Sequence, residues 1–238
     1  MNINKYITEF KENPVDIVSR IFHKVLFDPI KYSNGQDYRA AEYWSNRLSR
    51  YRYALKGVGD EGVSEKENEK RYKNTSIKLM TLLKQKKIDC KRIRVLDIGS
   101  GNGFYAQLLA NLGVTKYVGL DITDCLFPKL KKQFPLFKFF KKDISQDRIG
   151  STYDLILMID VTEHIVTEDR LTMAMDNVKK SLSPSGTFIV LPLMKYSKRI
   201  FYYLKIWSVK DLRKRFPNYS IEEIPLDNES FILLIRRF

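Results

Sequence analysis

Residues 95–109 read VLDIGSGNGFYAQLL. The stretch opens as an aliphatic run, passes through Gly99-Ser100-Gly101-Asn102-Gly103, and continues into FYAQLLANLG, an apolar pattern of helical period closed by Gly113. A short apolar run, then glycines, then a helical period is the order of a strand that turns tightly into a helix. Glycine tolerates the backbone angles of such a turn and lets a ligand approach the main chain. The first N–H groups of the helix have no partner inside it and favour an anion or carboxylate. Asp97 stands two residues ahead of the first glycine.

On both sides of this turn the chain keeps its alternation. RIRVLDI (92–98), KYVGLDI (116–122), FKFFKKD (137–143), YDLILMID (153–160) and TFIVLP (187–192) read as strands. DCLFPKLKKQF (124–134), expected to be interrupted near Pro128, and EDRLTMAMDNVKKSL (168–182) read as helices, with SPSG as a turn. Strands alternating with helices predict an α/β fold with a parallel sheet and right-handed crossovers. SVKDLRKRF (208–216) predicts a last helix, and YSIEEIPLD with ESFILLIRRF an antiparallel C-terminal pair, for seven strands in all. In such a sheet, ligands bind beyond the carboxyl ends of the strands where the strand order reverses. Asp121 ends the second strand there, and a carboxylate so placed accepts both hydroxyls of a ribose. A nicotinamide or flavin site prefers GxGxxG, whereas the spacing here is GxGxG with Ala106 following.

The first 90 residues are helical in pattern. PVDIVSRIFHKVLF spaces Val15, Val18, Phe22, Val25 and Leu26 near the helical period, and His23 reads as structural. DYRAAEYWSNRLSRYRYALKG predicts a helix from Asn34-Gly35 to a stop at Gly57, GVGDEG a flexible break, and Ser64 with Glu67 a capping box for the helix that follows. Two units are expected: a helical extension over 1–90 and a ligand-binding domain over 91–238.

Composition sets the setting. The 238 residues are 44% hydrophobic, enough for one sizeable core. There is no apolar run long enough to span a membrane and no apolar signal-peptide core. Cys90 and Cys125 form no CxxC, which favours a reducing, cytoplasmic location. The net charge of +14 leaves nucleic acid open as a partner, although lysines mixed with glutamates, as in SEKENEKRYKN, read as a solvated face.

With these motifs in view, residues 93–191 resemble the class I S-adenosylmethionine-dependent methyltransferases. The resemblance implies a Rossmann-like, doubly wound seven-stranded sheet, mostly parallel with an antiparallel C-terminal strand pair, plus an N-terminal helical cap. It implies S-adenosylmethionine as cofactor. Asp97, Gly99, Ser100, Gly101 and Gly103 would surround its amino-acid end, with Asp121 and Ile122 at the ribose, Asp143 and Ile144 at the adenine, and Asp160 and Val161 beside the methyl group. Ser100 stands where many members carry cysteine. No NPPY or DPPY string and no Pro-Cys pair is present, which argues against the amino-methylating DNA enzymes and against cytosine C5 chemistry.

The fourth-strand motif continues as DVTEHI (160–165), for which three readings stay open. Asp160 and Glu163 form a helix cap and its box partner. Alternatively, His164 is the general base that removes an acceptor's proton and is the catalytic residue. Third, Asp160, Glu163 and His164 hold a divalent metal, an arrangement similar to the E-x-x-E-H element of some metal-dependent RNA and ubiquinone-pathway methyltransferases. Metal is not favoured, because no later histidine follows. Tyr43, Trp44, Arg47, Arg50, Tyr51 and Arg52 mark a segment that closes as a lid. KYSKRIFYYLKIW (195–207) reads as an amphipathic helix. The activity expected is O-methylation of a small molecule or glycan precursor. An RNA-modifying methyltransferase and a non-catalytic cofactor-binding regulator are the alternatives.

Overall fold

The computed structural model describes residues 26–237. The predicted helix over 14–27, with His23, lies almost wholly outside them. The described chain begins with a short helix α1 (Asp28–Tyr32), a small hairpin of β1 (Ser33–Asn34) and β2 (Asp37–Tyr38), helix α2 (Ala40–Tyr51), a single turn α3 (Leu55–Val58) and the long helix α4 (Glu65–Gln85). The helix expected to run to Gly57 therefore stops early, because Arg52 takes a left-handed φ of 52°. The expected flexible break is pinned. Asp60 N–H donates to Asn68 Oδ1 (2.9 Å), and Asn68 Nδ2 donates to the Asp60 carbonyl (2.8 Å). Ser64 caps α4 by accepting from Glu67 N–H at 3.2 Å.

Next come β3 (Arg94–Ile98), α5 (Phe104–Asn111), β4 (Lys116–Asp121), α6 (Phe127–Gln133), β5 (Lys138–Lys141) and β6 (Tyr153–Ile159). Pro128 opens α6 rather than interrupting it, since its missing N–H costs nothing in a first turn. A 3₁₀ turn (Thr162–His164), α7 (Glu168–Ser181), β7 (Leu182–Met194), α8 (Val209–Arg215), β10 (Tyr219–Pro225) and β11 (Ser230–Arg237) complete the sheet unit. SPSG is absorbed into β7 as an irregularity in its pairing with β6. The segment 195–207 corrects its expectation. It is a hairpin of β8 (Lys198–Phe201) and β9 (Leu204–Ile206), with the ring of Tyr203 turned inward and 5% exposed.

The seven strands lie in the order β10-β11-β7-β6-β3-β4-β5. β3 through β7 run parallel to one another, and β11 runs antiparallel to both β7 and β10. This is the Rossmann-like sheet that the resemblance implied. Strand residues alternate between two cores. Val95, Leu155 and Leu157 face α4, α5 and α6, while Leu96, Ile156 and Met158 face α7 and α8. A third, smaller cluster of Tyr32, Tyr38, Ala40, Tyr43, Val166 and Tyr203 packs the N-terminal elements against the β8–β9 hairpin. Among the described residues no helix is long and apolar enough to cross a membrane, and both cysteines are free thiols.

Candidate active site

The chain returns from β5 to the other side of β3 to form β6, so the sheet reverses its order between β3 and β6. A cleft opens at the carboxyl ends of these strands. Its floor is made by Gly99–Asn102 after β3, Asp121 and Ile122 after β4, Asp143 and Ile144 after β5, and Asp160, Val161 and His164 after β6. Its upper wall comes from the N-terminal segment through Tyr38, Ala40, Trp44, Leu48 and Val58.

The glycine loop is shaped as a cradle. Gly99 has φ +79°, and a Cβ there would stand 2.2 Å from Val161 Cγ2. At Gly101, with φ +50°, it would stand 2.9 Å from Val58. Ser100 is 5% exposed, and its Oγ has no hydrogen-bond partner among the described residues. Gly103 caps α5 from beneath and is not on the cleft wall.

Asp121 Oδ2 accepts from Gly101 N–H at 2.9 Å and Oδ1 from Thr123 N–H at 3.2 Å. A carboxylate has about four acceptor sites, so capacity remains for two sugar hydroxyls. Burial pushes its carboxyl up to about 6. Asp97 lies elsewhere. It is 2% exposed under the loop, accepts from the Tyr117 hydroxyl at 2.6 Å, and does not reach the cleft. Burial raises it to about 6 as well, against the lowering effect of the Tyr117 bond.

Asp143 Oδ1 accepts from Ser145 N–H (2.9 Å), and its Oδ2 pairs with Arg170 Nη2. Arg170 also donates to Ser145 Oγ (2.8 Å) and Asp37 Oδ2 (2.9 Å). It joins the cleft from α7, a place that nothing in the sequence marks.

The DVTEHI segment does not cap a helix as expected: Val161, not Asp160, stands at the N-cap of the 3₁₀ turn, and no side-chain cap hydrogen bond forms there. Asp160 holds a φ of 54°, its N–H donates to Leu191 O at 2.9 Å, and its side chain lines the cleft. Burial raises the carboxyls of both Asp160 and Glu163, and Asp160 raises Glu163 further. Among the described residues no three His, Cys, Asp or Glu side chains converge as a metal-holding group. His164 Nδ1 lies 3.2 Å from the Tyr203 carbonyl oxygen, its ring meets Trp44 edge-on at 4.7 Å, and its own carbonyl accepts from Tyr38 OH at 3.1 Å.

A family model described as a methyltransferase domain matches residues 66–224, more than half of the chain. The chain belongs to the methyltransferase-domain family. Its fold is shared by solved structures of low identity. Magnesium protoporphyrin IX methyltransferase of Synechocystis PCC 6803, with bound SAM, is 16% identical at a TM-score of 0.62, covering 93% of this methyltransferase and 96% of that chain. A protein of Pyrococcus horikoshii OT3 is 18% identical at 0.61 (83% and 99% covered). The 1,6-didemethyltoxoflavin-N1-methyltransferase of Burkholderia thailandensis, with bound 1,6-didemethyltoxoflavin and S-adenosylhomocysteine, is 15% identical at 0.58 (83% and 88%). A search of curated protein sequences finds no significant match.

Proposed function

We propose that this methyltransferase uses S-adenosylmethionine to methylate an oxygen of a small molecule or glycan precursor, with His164 as general base. The donor fits the cleft by three features: positive-φ glycines where a side chain would clash, the Ser100 hydroxyl, unpartnered among the described residues, and acceptor capacity at Asp121. In this reading Asp121 and Ile122 hold the ribose, Asp143 and Ile144 the adenine, and the Gly99–Gly101 loop, Asp160 and Val161 the amino-acid and methyl end. The bound cofactor supplies an activated methyl group on a sulfonium. The chain's part is to orient the acceptor, exclude water and take its proton.

The observation that carries the base assignment is the contact at Tyr203. A carbonyl only accepts, so His164 Nδ1 carries hydrogen and Nε2 is the basic nitrogen. The imidazole takes the proton of the acceptor's O–H as that oxygen gains the methyl group that the bound cofactor would supply. The N-terminal extension acts as the lid, and Tyr38, Trp44 and Leu48 on the cleft wall support that role. The two cysteines, both free thiols, favour a cytoplasmic setting.

The test is a screen of hydroxyl- and phenol-bearing small molecules for S-adenosylhomocysteine release, followed by His164→Ala on the best acceptor. The expected outcome is kcat lower by roughly 10²–10⁴-fold with cofactor affinity retained. Unchanged kcat removes the base role, and turnover confined to RNA removes the small-molecule class.

A further inference from the structure

The last carbonyls of a helical turn have no partner inside it and need a donor from elsewhere when buried. After the 3₁₀ turn, the His164 carbonyl accepts from the Tyr38 hydroxyl at 3.1 Å, and the next carbonyl, of Ile165, accepts from Trp207 Nε1 at 2.8 Å. The Tyr38 oxygen accepts in turn from Trp44 Nε1 at 3.2 Å, and the Trp44 ring meets the imidazole edge-on at 4.7 Å. Tyr38, Trp44 and His164 all line the cleft. We propose that Tyr38, buttressed by Trp44, is a positioning residue for His164, so that seating the N-terminal segment and setting the base are one event. This rests on the reading of His164 as the general base.

Three observations carry it. The chain of bonds has one polarity. A carbonyl only accepts and an indole N–H only donates, so the Tyr38 hydroxyl gives its single hydrogen to His164 and takes one from Trp44. Tyr38 is 3% exposed, and burial holds its hydroxyl well above the usual phenol range. It therefore stays a donor at any pH where a histidine acts as a base. With the main chain pinned by Tyr38 and Nδ1 beside the Tyr203 carbonyl at 3.2 Å, the ring keeps one tautomer and one orientation.

The second observation is the strand that carries Tyr38. Its neighbour in β2, Asp37, accepts from Arg170 Nη1 at 2.9 Å, and Arg170 also holds Asp143. Successive side chains of a strand point to opposite sides. Two adjacent residues thus reach the acid after β5 and the turn after β6, and fix one against the other.

The third is that packing does not call for the hydroxyl. The rings of Tyr43 and Tyr202 stand edge-on to Tyr38 at 5.8 and 6.0 Å, and a phenylalanine ring would fill the same space. What the hydroxyl adds is the link from Trp44 to His164.

The experiment compares the full chain with Y38F, using isotope-labelled histidine and nuclear magnetic resonance with S-adenosylhomocysteine saturating. The chain holds two histidines, so H164A assigns the signals of His164. The parent should show a single Nδ1–H tautomer at His164, and Y38F a mixture of both. On the alcohol or phenol that the small-molecule screen turns over, Y38F should lower kcat by about 10- to 100-fold, with KM and S-adenosylhomocysteine affinity within about threefold. Added to H164A, it should lower kcat no further, because its effect runs through the imidazole. If Y38F melts below the assay temperature, W44F carries the test. It removes the donor to Tyr38 and should shift the tautomer ratio in the same direction, less far. An unchanged tautomer, or equal kcat losses with and without His164, makes Tyr38 a packing residue and overturns the proposal. Full kcat in H164A removes the base reading on which it stands.

Discussion

Arg170 Nη1 lies 2.9 Å from Asp37 Oδ2, while its other terminal nitrogen holds Asp143. One guanidinium thus ties the N-terminal hairpin to the acid at the tip of β5, and a third bond to Ser145 Oγ fixes the fork. The three charged side chains are between 16% and 26% exposed, so the pairs are neither fully screened nor fully buried. Arg170→Leu should cost about 1–3 kcal/mol, since it leaves two carboxylates without their cation. Arg170→Lys should recover little, because an ammonium lacks the planar fork that reaches three partners. Urea denaturation of the two variants measures this, and a fully stable lysine variant would contradict it.

Asp97 and Asp121 look alike in sequence, each an acid at a strand end, yet they face different surroundings. Asp97→Asn keeps an acceptor oxygen for the Tyr117 hydroxyl and changes nothing on the cleft wall. S-Adenosylhomocysteine affinity should stay within about threefold. Asp121→Asn loses a charged acceptor on the wall itself and should weaken binding by about 10- to 100-fold. Calorimetry on the pair separates them, and equal losses would return Asp97 to the ligand.

Much of this was legible in the sequence for a physical reason. A strand buried on both faces must be apolar throughout, so YDLILMID and VLDI announce themselves, and the glycine turn fixes which strand end carries the site. The segment after β7 was less legible. KYSKRIFYYLKIW has aromatics at helix-like spacing, but it forms a hairpin whose Tyr203 ring stacks on Tyr43 at 4.8 Å, a contact 160 residues away in the chain. Arg170 was hidden because an arginine in EDRL looks like any solvated helix residue. Its partners, Asp37 and Asp143, come from distant segments. DVTEHI was ambiguous because two acids at i, i+3 followed by a histidine suit a cap, a general base or a metal site. The left-handed Asp160 that turns the segment toward the cleft leaves no sequence mark.

The glycine loop gives a steric prediction. Gly99→Ala would force a side chain onto a φ of +79° with its Cβ 2.2 Å from Val161 Cγ2. Strain and overlap together should destabilise the protein by about 2–4 kcal/mol and abolish cofactor binding. Adding Val161→Ala removes the overlapping methyl but not the backbone strain, so the double variant should regain only part of the stability. Thermal melts of the single and double variants test this. Full recovery would mean that the φ carries no strain.

The raised carboxyl of Asp121 gives a pH dependence with a definite sign. Burial moves it from an ordinary 3.8 to about 6 in the protein without ligand. For the empty protein, its contribution to stability is therefore present below about 4 and lost as pH rises through about 6. Cofactor binding runs the other way, because ribose hydroxyls donate to the charged form. Affinity for S-adenosylhomocysteine should be flat above about pH 7 and fall below about pH 6, approaching tenfold per pH unit as the carboxyl takes a proton. Other acids around the cleft titrate too, so the control is Asp121→Asn, which should bind weakly and lose this part of the slope. Calorimetry between about pH 5 and 8 reads both curves. A parent protein whose affinity does not change across that range, or a variant that keeps the full slope, would show that Asp121 does not receive the ligand as a carboxylate.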